Sequence, residues 1–227
     1  MESPSPSEPA PHEHAPGESC PKCWAQLETP LFCESCHELL AAPEPSSPFE
    51  TLGLAPGFPV DQMALRKRLL QLSRQLHPDF HGAADTRTRA LAERNTAELN
   101  AAFEILESDF RRADWLVRSL GGPSEAQERQ MPSEFLAEVL DWNETIEEAR
   151  SAAPGSPQRD ALGTLGDALR AQRAATIALV SELLTPLPTT NAPELTQARR
   201  KLNAVRYLDR ALREITELGL QGSPPLR

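Results

Sequence analysis

No apolar run in this chain approaches the roughly 20 residues that a helix needs to cross a bilayer, so a soluble protein is expected. Positive charge is also in short supply. Lys and Arg number 23 against 33 Asp and Glu, a formal net charge of −10 that disfavours nucleic-acid phosphates and anionic lipid surfaces as main partners, although a local basic patch can act against the average. The first 19 residues hold no Lys, no Arg and no apolar core, so they resemble neither a secretory signal nor an Arg-rich organelle presequence. A bacterial cytoplasmic location is the expectation from these absences.

What is abundant is helix-forming material. Of 227 residues, 39% are hydrophobic, enough for modest cores. The 22 prolines gather near the N-terminus and at junctions, while Ala, Leu, Glu and Arg fill the rest. Residues 1–18 lack the apolar side chains that offset ordering entropy and read as a disordered tail, in which His12 and His14 are solvated rather than ligands. A small cysteine module spans 19–40. The Pro-bearing stretch 41–47 reads as a semi-rigid linker, with the main fold beyond it.

Helix signals then follow in order. A short segment at Phe49–Leu52 ends at Gly53; Asp61 is placed to cap a helix carrying Leu65, Leu69, Leu72 and Leu76, which stops before Pro78. A second long helix is predicted over 86–107 with Leu99, Phe103 and Leu106 on one stripe, completing an antiparallel hairpin. A further helix from Asp109 ends at Gly121-Gly122. Three more are expected in the C-terminal half. The first runs from a Ser133 cap to about Arg150, and the second starts at Ser156-Pro157 with Leu162, Leu165, Leu169, Leu179 and Leu183 inward. The third opens at Pro193, with Leu195, Ala198, Leu202, Val205, Leu208, Leu212 and Ile215 inward, and closes at Gly219. The predicted class is all-α: a helical hairpin at 48–122 and an antiparallel three-helix bundle at 123–227, behind a small metal module. No internal repeat is evident.

Cys20-Pro21-Lys22-Cys23 and Cys33-Glu34-Ser35-Cys36 form two C-x2-C knuckles separated by nine residues, a spacing that can set four thiolates around Zn²⁺. A compact pair of turns is expected rather than a sheet, with Trp24, Leu27, Leu31 and Phe32 as an apolar lid. His37, beside Cys36, is surplus to a four-cysteine site. The competing readings are a redox-active C-x-x-C pair, which wants a thioredoxin-like βαβ context that is not evident here, and an iron–sulfur cluster on the same thiolates. No organic cofactor is implied. With the linker between them, loss of metal is expected to unfold the module and leave the helices intact.

Leu76-His77-Pro78-Asp79-Phe80 falls between the two hairpin helices, and the helix before it carries Arg66, Lys67, Arg68 and Arg74. Alone, the tripeptide reads as a turn. No nucleophile, further acid or cofactor loop accompanies His77 and Asp79, so no catalytic residue is assigned. In this setting the segment resembles a J-domain, in which such a hairpin docks on Hsp70-class chaperones and triggers their ATP hydrolysis. Leu99-Asn100-Ala101-Ala102-Phe103, Arg111-Arg112-Ala113-Asp114-Trp115-Leu116, Phe135-Leu136 and Lys201-Leu202-Asn203-Ala204-Val205-Arg206-Tyr207-Leu208 extend the resemblance to J-domain co-chaperones of the HscB type, over about residues 48–218. The four-cysteine extension resembles that of mitochondrial members, which makes a mitochondrial matrix form the alternative location. The resemblance implies a non-enzymatic activator of an Hsp70-class ATPase (HscA or DnaK type). It implies His77, Pro78, Asp79, Arg66, Lys67, Arg68 and Arg74 as the chaperone-binding residues.

On a helical wheel Phe135, Val139, Trp142 and Ile146 make a core stripe, whereas Leu136, Ala137, Leu140, Asp141, Glu144 and Glu148 fall on another sector. Periodicity leaves two readings of that sector open: a binding patch, or leucines packed on a neighbouring domain beside solvated acids. The resemblance implies the first. It assigns Leu136, Ala137, Leu140, Asp141, Glu144, Glu148 and Tyr207 to an iron–sulfur scaffold protein of the IscU type, with room for weak self-association of the bundle. A generic J-protein delivering unfolded clients is the alternative function, and a thiol oxidoreductase the third.

Overall fold

The computed structural model describes residues 19–42, 46–77, 86–131, 133–153 and 155–221. The tail with His12 and His14, the prolines of the linker, and Pro78 and Asp79 therefore lie outside the described residues. Among those described there are seven α-helices and no strands, only isolated bridges: α1 (Pro48–Leu52), α2 (Gln62–Leu76), α3 (Thr86–Glu107), α4 (Asp109–Ser119), α5 (Ser133–Ser151), α6 (Pro157–Leu183) and α7 (Pro193–Gln221). The all-helical expectation holds. None of these helices is long and apolar enough to cross a membrane.

The start signals at Asp61 and Ser156 act as expected, and Ser108 adds one that was not foreseen. The Asp61 carboxylate accepts the amides of Met63 at 2.8 Å and Ala64 at 3.1 Å, occupying donors that the first turn of α2 leaves open. Ser108 and Ser156 cap α4 and α6 in the same way. Gly53 ends α1 in the left-handed conformation at φ 66°. A side chain there would also meet the Glu28 carbonyl at 2.6 Å, so glycine is required twice over.

Contacts group the described residues into two units, one of those up to Ala55 with Lys67–Ala102, the other of Pro56–Arg66 with those from Phe103 onward. In the first, Leu65's neighbours along α2, Leu72 and Leu76, are fully buried, as are Ala92 and Leu99 of α3. Thr96 donates to the Leu76 carbonyl at 3.4 Å. This unit also contains the cysteine module, which does not stand apart behind its linker as expected. The reason is a set of polar anchors described with the site below.

In the second unit α5, α6 and α7 form the expected three-helix bundle around Phe135, Trp142, Ile146, Leu162, Leu169 and Leu208. Phe135 and Trp142 meet edge to face with centroids 5.2 Å apart. Helix α4 is tied to α7 by Arg199, which is 1% exposed, pairs with Asp114 at 2.6 Å and donates to the Pro123 carbonyl at 2.9 Å. Two details differ from expectation. Leu179 is exposed, and Val180 and Leu184 face inward in its place, because eleven residues from Leu169, not ten, complete three turns. Helix α7 runs through Gly219 to Gln221, since the apolar stripe still has Leu218 to bury.

Candidate functional site

Three groups of residues matter, and the cysteines form the most sharply defined. Cys20 donates its amide to the Ala25 carbonyl and accepts from Trp24; thirteen residues on, Cys33 donates to Glu38 and accepts from His37, all four bonds at 2.9 Å. Trp24 and His37 share the left-handed conformation at φ 62° and 58°, and the bridges Ser19–Gln26 and Phe32–Leu39 frame the two turns. The module is one knuckle built twice, the two C-x2-C motifs sharing a backbone conformation as well as a spacing.

The two turns bring Cys20 to 3.6 Å from Cys36 and Cys23 to 3.6 Å from Cys33, sulfur to sulfur, with all four ligand atoms within 4.8 Å. Four thiolates about 2.3 Å from a tetrahedral centre stand about 3.8 Å apart. The donor set therefore fits a tetrahedral metal ion. The amides of Cys36 and Ser35 hold the Cys33 thiol down to about 7 against desolvation. The amide of Glu38 favours the Cys36 thiolate too, but desolvation and the three neighbouring sulfurs outweigh it and push that thiol up to about 12. Without a cation the four sulfurs cannot all be thiolates, so metal binding must release protons. His37 stays outside the cluster, stacking near Phe32 at 5.9 Å. Leu31, Phe32 and Leu39 form the apolar side of the module; Trp24, expected in the lid, is 79% exposed because its left-handed backbone turns it outward.

The module is fastened to the helices through three side chains. Asn95 of α3, fully buried, donates both amide hydrogens, to the Leu31 and Leu40 carbonyls at 2.8 Å each. Thr29 donates to the Thr51 carbonyl at 2.8 Å. Arg68 of α2 reaches Glu28 and Glu34 of the module at 3.2 Å each and the Leu52 carbonyl at 3.2 Å.

The second group lies on α2. Arg66, Lys67 and Arg74 are exposed, and Arg66 pairs with Glu107 at 2.9 Å. Arg68 is different, its side chain 18% exposed and turned to the module's acids. His77 is exposed just past the last turn of α2. Pro78 and Asp79 lie outside the described residues.

The third group lies on α5 and α7. Phe135, Trp142 and Ile146 are buried in the bundle, as the wheel predicts, with Val139 packed beside them. Leu136 and Leu140 are 52% and 71% exposed, and Ala137, Asp141, Glu144 and Glu148 are exposed along the same helix. Tyr207 of α7 is 45% exposed and meets the Phe135 ring edge-on at 6.4 Å, which places it beside the start of α5. The leucines are not core residues. What sequence reasoning missed is the charge around Tyr207: Arg129, Arg206, Arg210 and Arg213 line a groove with it. The signal was present in the i, i+4, i+7 spacing of the last three arginines.

The family of the HSCB C-terminal oligomerisation domain matches residues 131–216, which cover α5, α6 and most of α7. The chain is 30% identical over 169 residues to the co-chaperone protein HscB homologue of Aeromonas hydrophila, covering 74% of this chain and 92% of that one. The chain belongs to the HscB co-chaperone family. It is also 30% identical over 146 residues to the human iron-sulfur cluster co-chaperone protein HscB, covering 60% of this chain and 62% of the human one. The crystal structure of human HscB has the same fold, with a TM-score of 0.72 at 22% identity over 90% of this chain and all of that one. HscB from Vibrio cholerae superposes with a TM-score of 0.65 at 21% identity, over 78% of this chain and all of the other. The recognition of the family from four short sequence segments is thus borne out, and so is the helical architecture.

Proposed function

We propose that this HscB-family protein is an iron–sulfur cluster co-chaperone that carries a folded scaffold protein to an Hsp70-class chaperone and raises that chaperone's ATPase rate. The observation that carries the scaffold half is the exposed face of Leu136 and Leu140, beside Tyr207 and followed by Asp141, Glu144 and Glu148. Half-exposed apolar side chains outside a bundle's core, with charges at the rim, suit a desolvated anchor surrounded by orienting contacts. The chaperone half rests on His77 with the Pro78-Asp79 that follows, and on exposed Arg66, Lys67 and Arg74. Arg68 contributes there by holding the hairpin and module together. In this reading 48–122 is the J-domain and 123–227 the scaffold-binding domain, working in a bacterial cytoplasm.

The family relationship to the human iron-sulfur cluster co-chaperone supports a dedicated client over unfolded chains. Cys20, Cys23, Cys33 and Cys36 would hold Zn²⁺, which supplies a structural cross-link between the two knuckles and no chemistry on a substrate. Calorimetric titration of the full chain with a folded IscU-type scaffold and with a denatured model client tests the assignment. Saturable binding of the scaffold alone is expected; equal binding of the denatured client would favour a generic J-protein.

A further inference from the structure

Around Tyr207 the charge of the molecule reverses. In a chain of net charge −10, Arg129, Arg206, Arg210 and Arg213 line one groove of about 310 Å³ whose single carboxylate, Glu125, is taken by Arg206. Among the described residues Arg129, Arg210 and Arg213 form no salt bridge, although the last two also border a cavity with Glu214 and Glu217; Arg150, Arg170, Arg173 and Arg200 elsewhere in this unit are paired. Like charges gathered this closely are a standing cost unless an anion joins them.

One wall of the groove is pinned to α7 by side-chain bonds. That wall is the segment before α5. Asn203 donates both hydrogens of its amide to the Glu128 and Gln130 carbonyls at 2.9 and 3.1 Å, and Arg200 pairs with the Glu128 carboxylate at 3.0 Å. The Gln127 side chain accepts from the Ser124 amide at 2.8 Å. A wall fixed in this way presents Arg129 opposite α7 without further ordering, which favours binding.

We propose that this groove is a docking site for an extended acidic segment of a partner protein. Arg206, Arg210 and Arg213 follow one another about one helical turn apart, in steps of about 6 and 4.5 Å along the axis. Carboxylates at alternate positions of an extended chain repeat every 6.6 Å or so, close enough for flexible arginine side chains to match. Tyr207, 45% exposed among them, offers its ring to an apolar residue of the same segment. The groove shares Tyr207 with the proposed scaffold face but does not depend on it, and the test uses no scaffold protein, so the two readings fail separately.

The test is fluorescence anisotropy of a labelled ten-residue peptide with Glu at alternate positions, titrated with the full chain at low salt. A matched peptide with Gln at those positions is the control. Saturable binding of the acidic peptide, weakened by added salt, is expected. Arg210→Glu with Arg213→Glu should weaken it at least about tenfold, while Arg170→Glu on α6 leaves it within about twofold. If circular dichroism shows the reversal variant unfolded, Arg210→Gln with Arg213→Gln replaces it, with several-fold weakening expected. Equal binding of the Gln peptide, no effect of the arginine changes, or no saturation up to about millimolar protein would overturn the proposal. So would tighter, arginine-dependent binding of a single-stranded oligonucleotide, which would assign the groove to nucleic acid.

Discussion

Asn95, buried in α3, donates its side-chain amide to the carbonyl of Leu31 in the cysteine module at 2.8 Å, and its second hydrogen goes to Leu40 at the same distance. Cysteine cluster and helical hairpin are therefore parts of one packed unit, and coupled stabilities are expected. Cys20→Ser with Cys23→Ser, or a strong chelator, is expected to lower the hairpin's melting transition as well as release the metal. Asn95→Ala should lower it with the cysteines intact. Leaving buried carbonyls short of a donor costs about 1 to 3 kcal/mol. Thermal denaturation with metal analysis checks both; an unchanged hairpin transition in the cysteine variant would show the contacts to be incidental.

That coupling was not legible in the sequence. The linker's prolines were visible, but a proline-rich tether says nothing about whether what it tethers will dock. The docking is made by Asn95, Thr29 and Arg68, polar residues on helix faces and turns whose partners are backbone carbonyls or acids distant in sequence. Apolar periodicity, by contrast, read well where it was unbroken. The stripes of α2, α3, α5 and α7 gave the right faces, and Asp61 and Ser156 the right starts. In α6 the stripe passes through Gly166 and Arg173, so counting leucines alone slipped by one residue at Leu179. Of the candidate site, the four cysteines were legible from spacing, whereas spacing placed Leu136 and Leu140 off the core stripe without deciding whether a neighbouring domain covers them. The arginine groove needed the α5 approach segment to fold against α7.

Leu136, Leu140 and Tyr207 are exposed, so replacing all three with Ala should leave the bundle folded. Scaffold binding should weaken at least about tenfold, since central apolar anchors are commonly worth about 1 to 2 kcal/mol each. Phe135→Ala is the contrasting variant: its ring is buried against Trp142, and its loss should cost about 3 to 5 kcal/mol of stability. Calorimetric titration alongside denaturant unfolding separates the two effects. Unchanged affinity in the folded triple variant would move the scaffold site elsewhere.

Arg173 forks onto Asp109 at 2.8 and 2.9 Å and also pairs with Asp209, joining α6 to α4 and α7. Burial alone would push the Asp109 carboxyl up, but the Arg173 hydrogen bonds and charge hold it below its ordinary value. A carboxylate depressed in this way stabilises fully above its unfolded pKa of about 3.9, and the contribution fades as pH falls through the lower folded value. Asp109→Asn should therefore be less stable than the parent at pH 7, with the gap narrowing below about pH 4. Urea midpoints over that range measure it; a gap that stays constant with pH would show that the ion pair contributes nothing.

The ATPase rate of an Hsp70-class chaperone, measured with this protein and with its His77→Gln variant, each with and without scaffold, decides whether the protein activates such a chaperone through His77. His77 is exposed beyond the end of α2, so the substitution should leave helicity and scaffold affinity unchanged. The parent should stimulate hydrolysis, more so with scaffold present, and the variant should do so neither alone nor with scaffold. Full stimulation by a folded His77→Gln protein would overturn the assignment of His77 to chaperone activation.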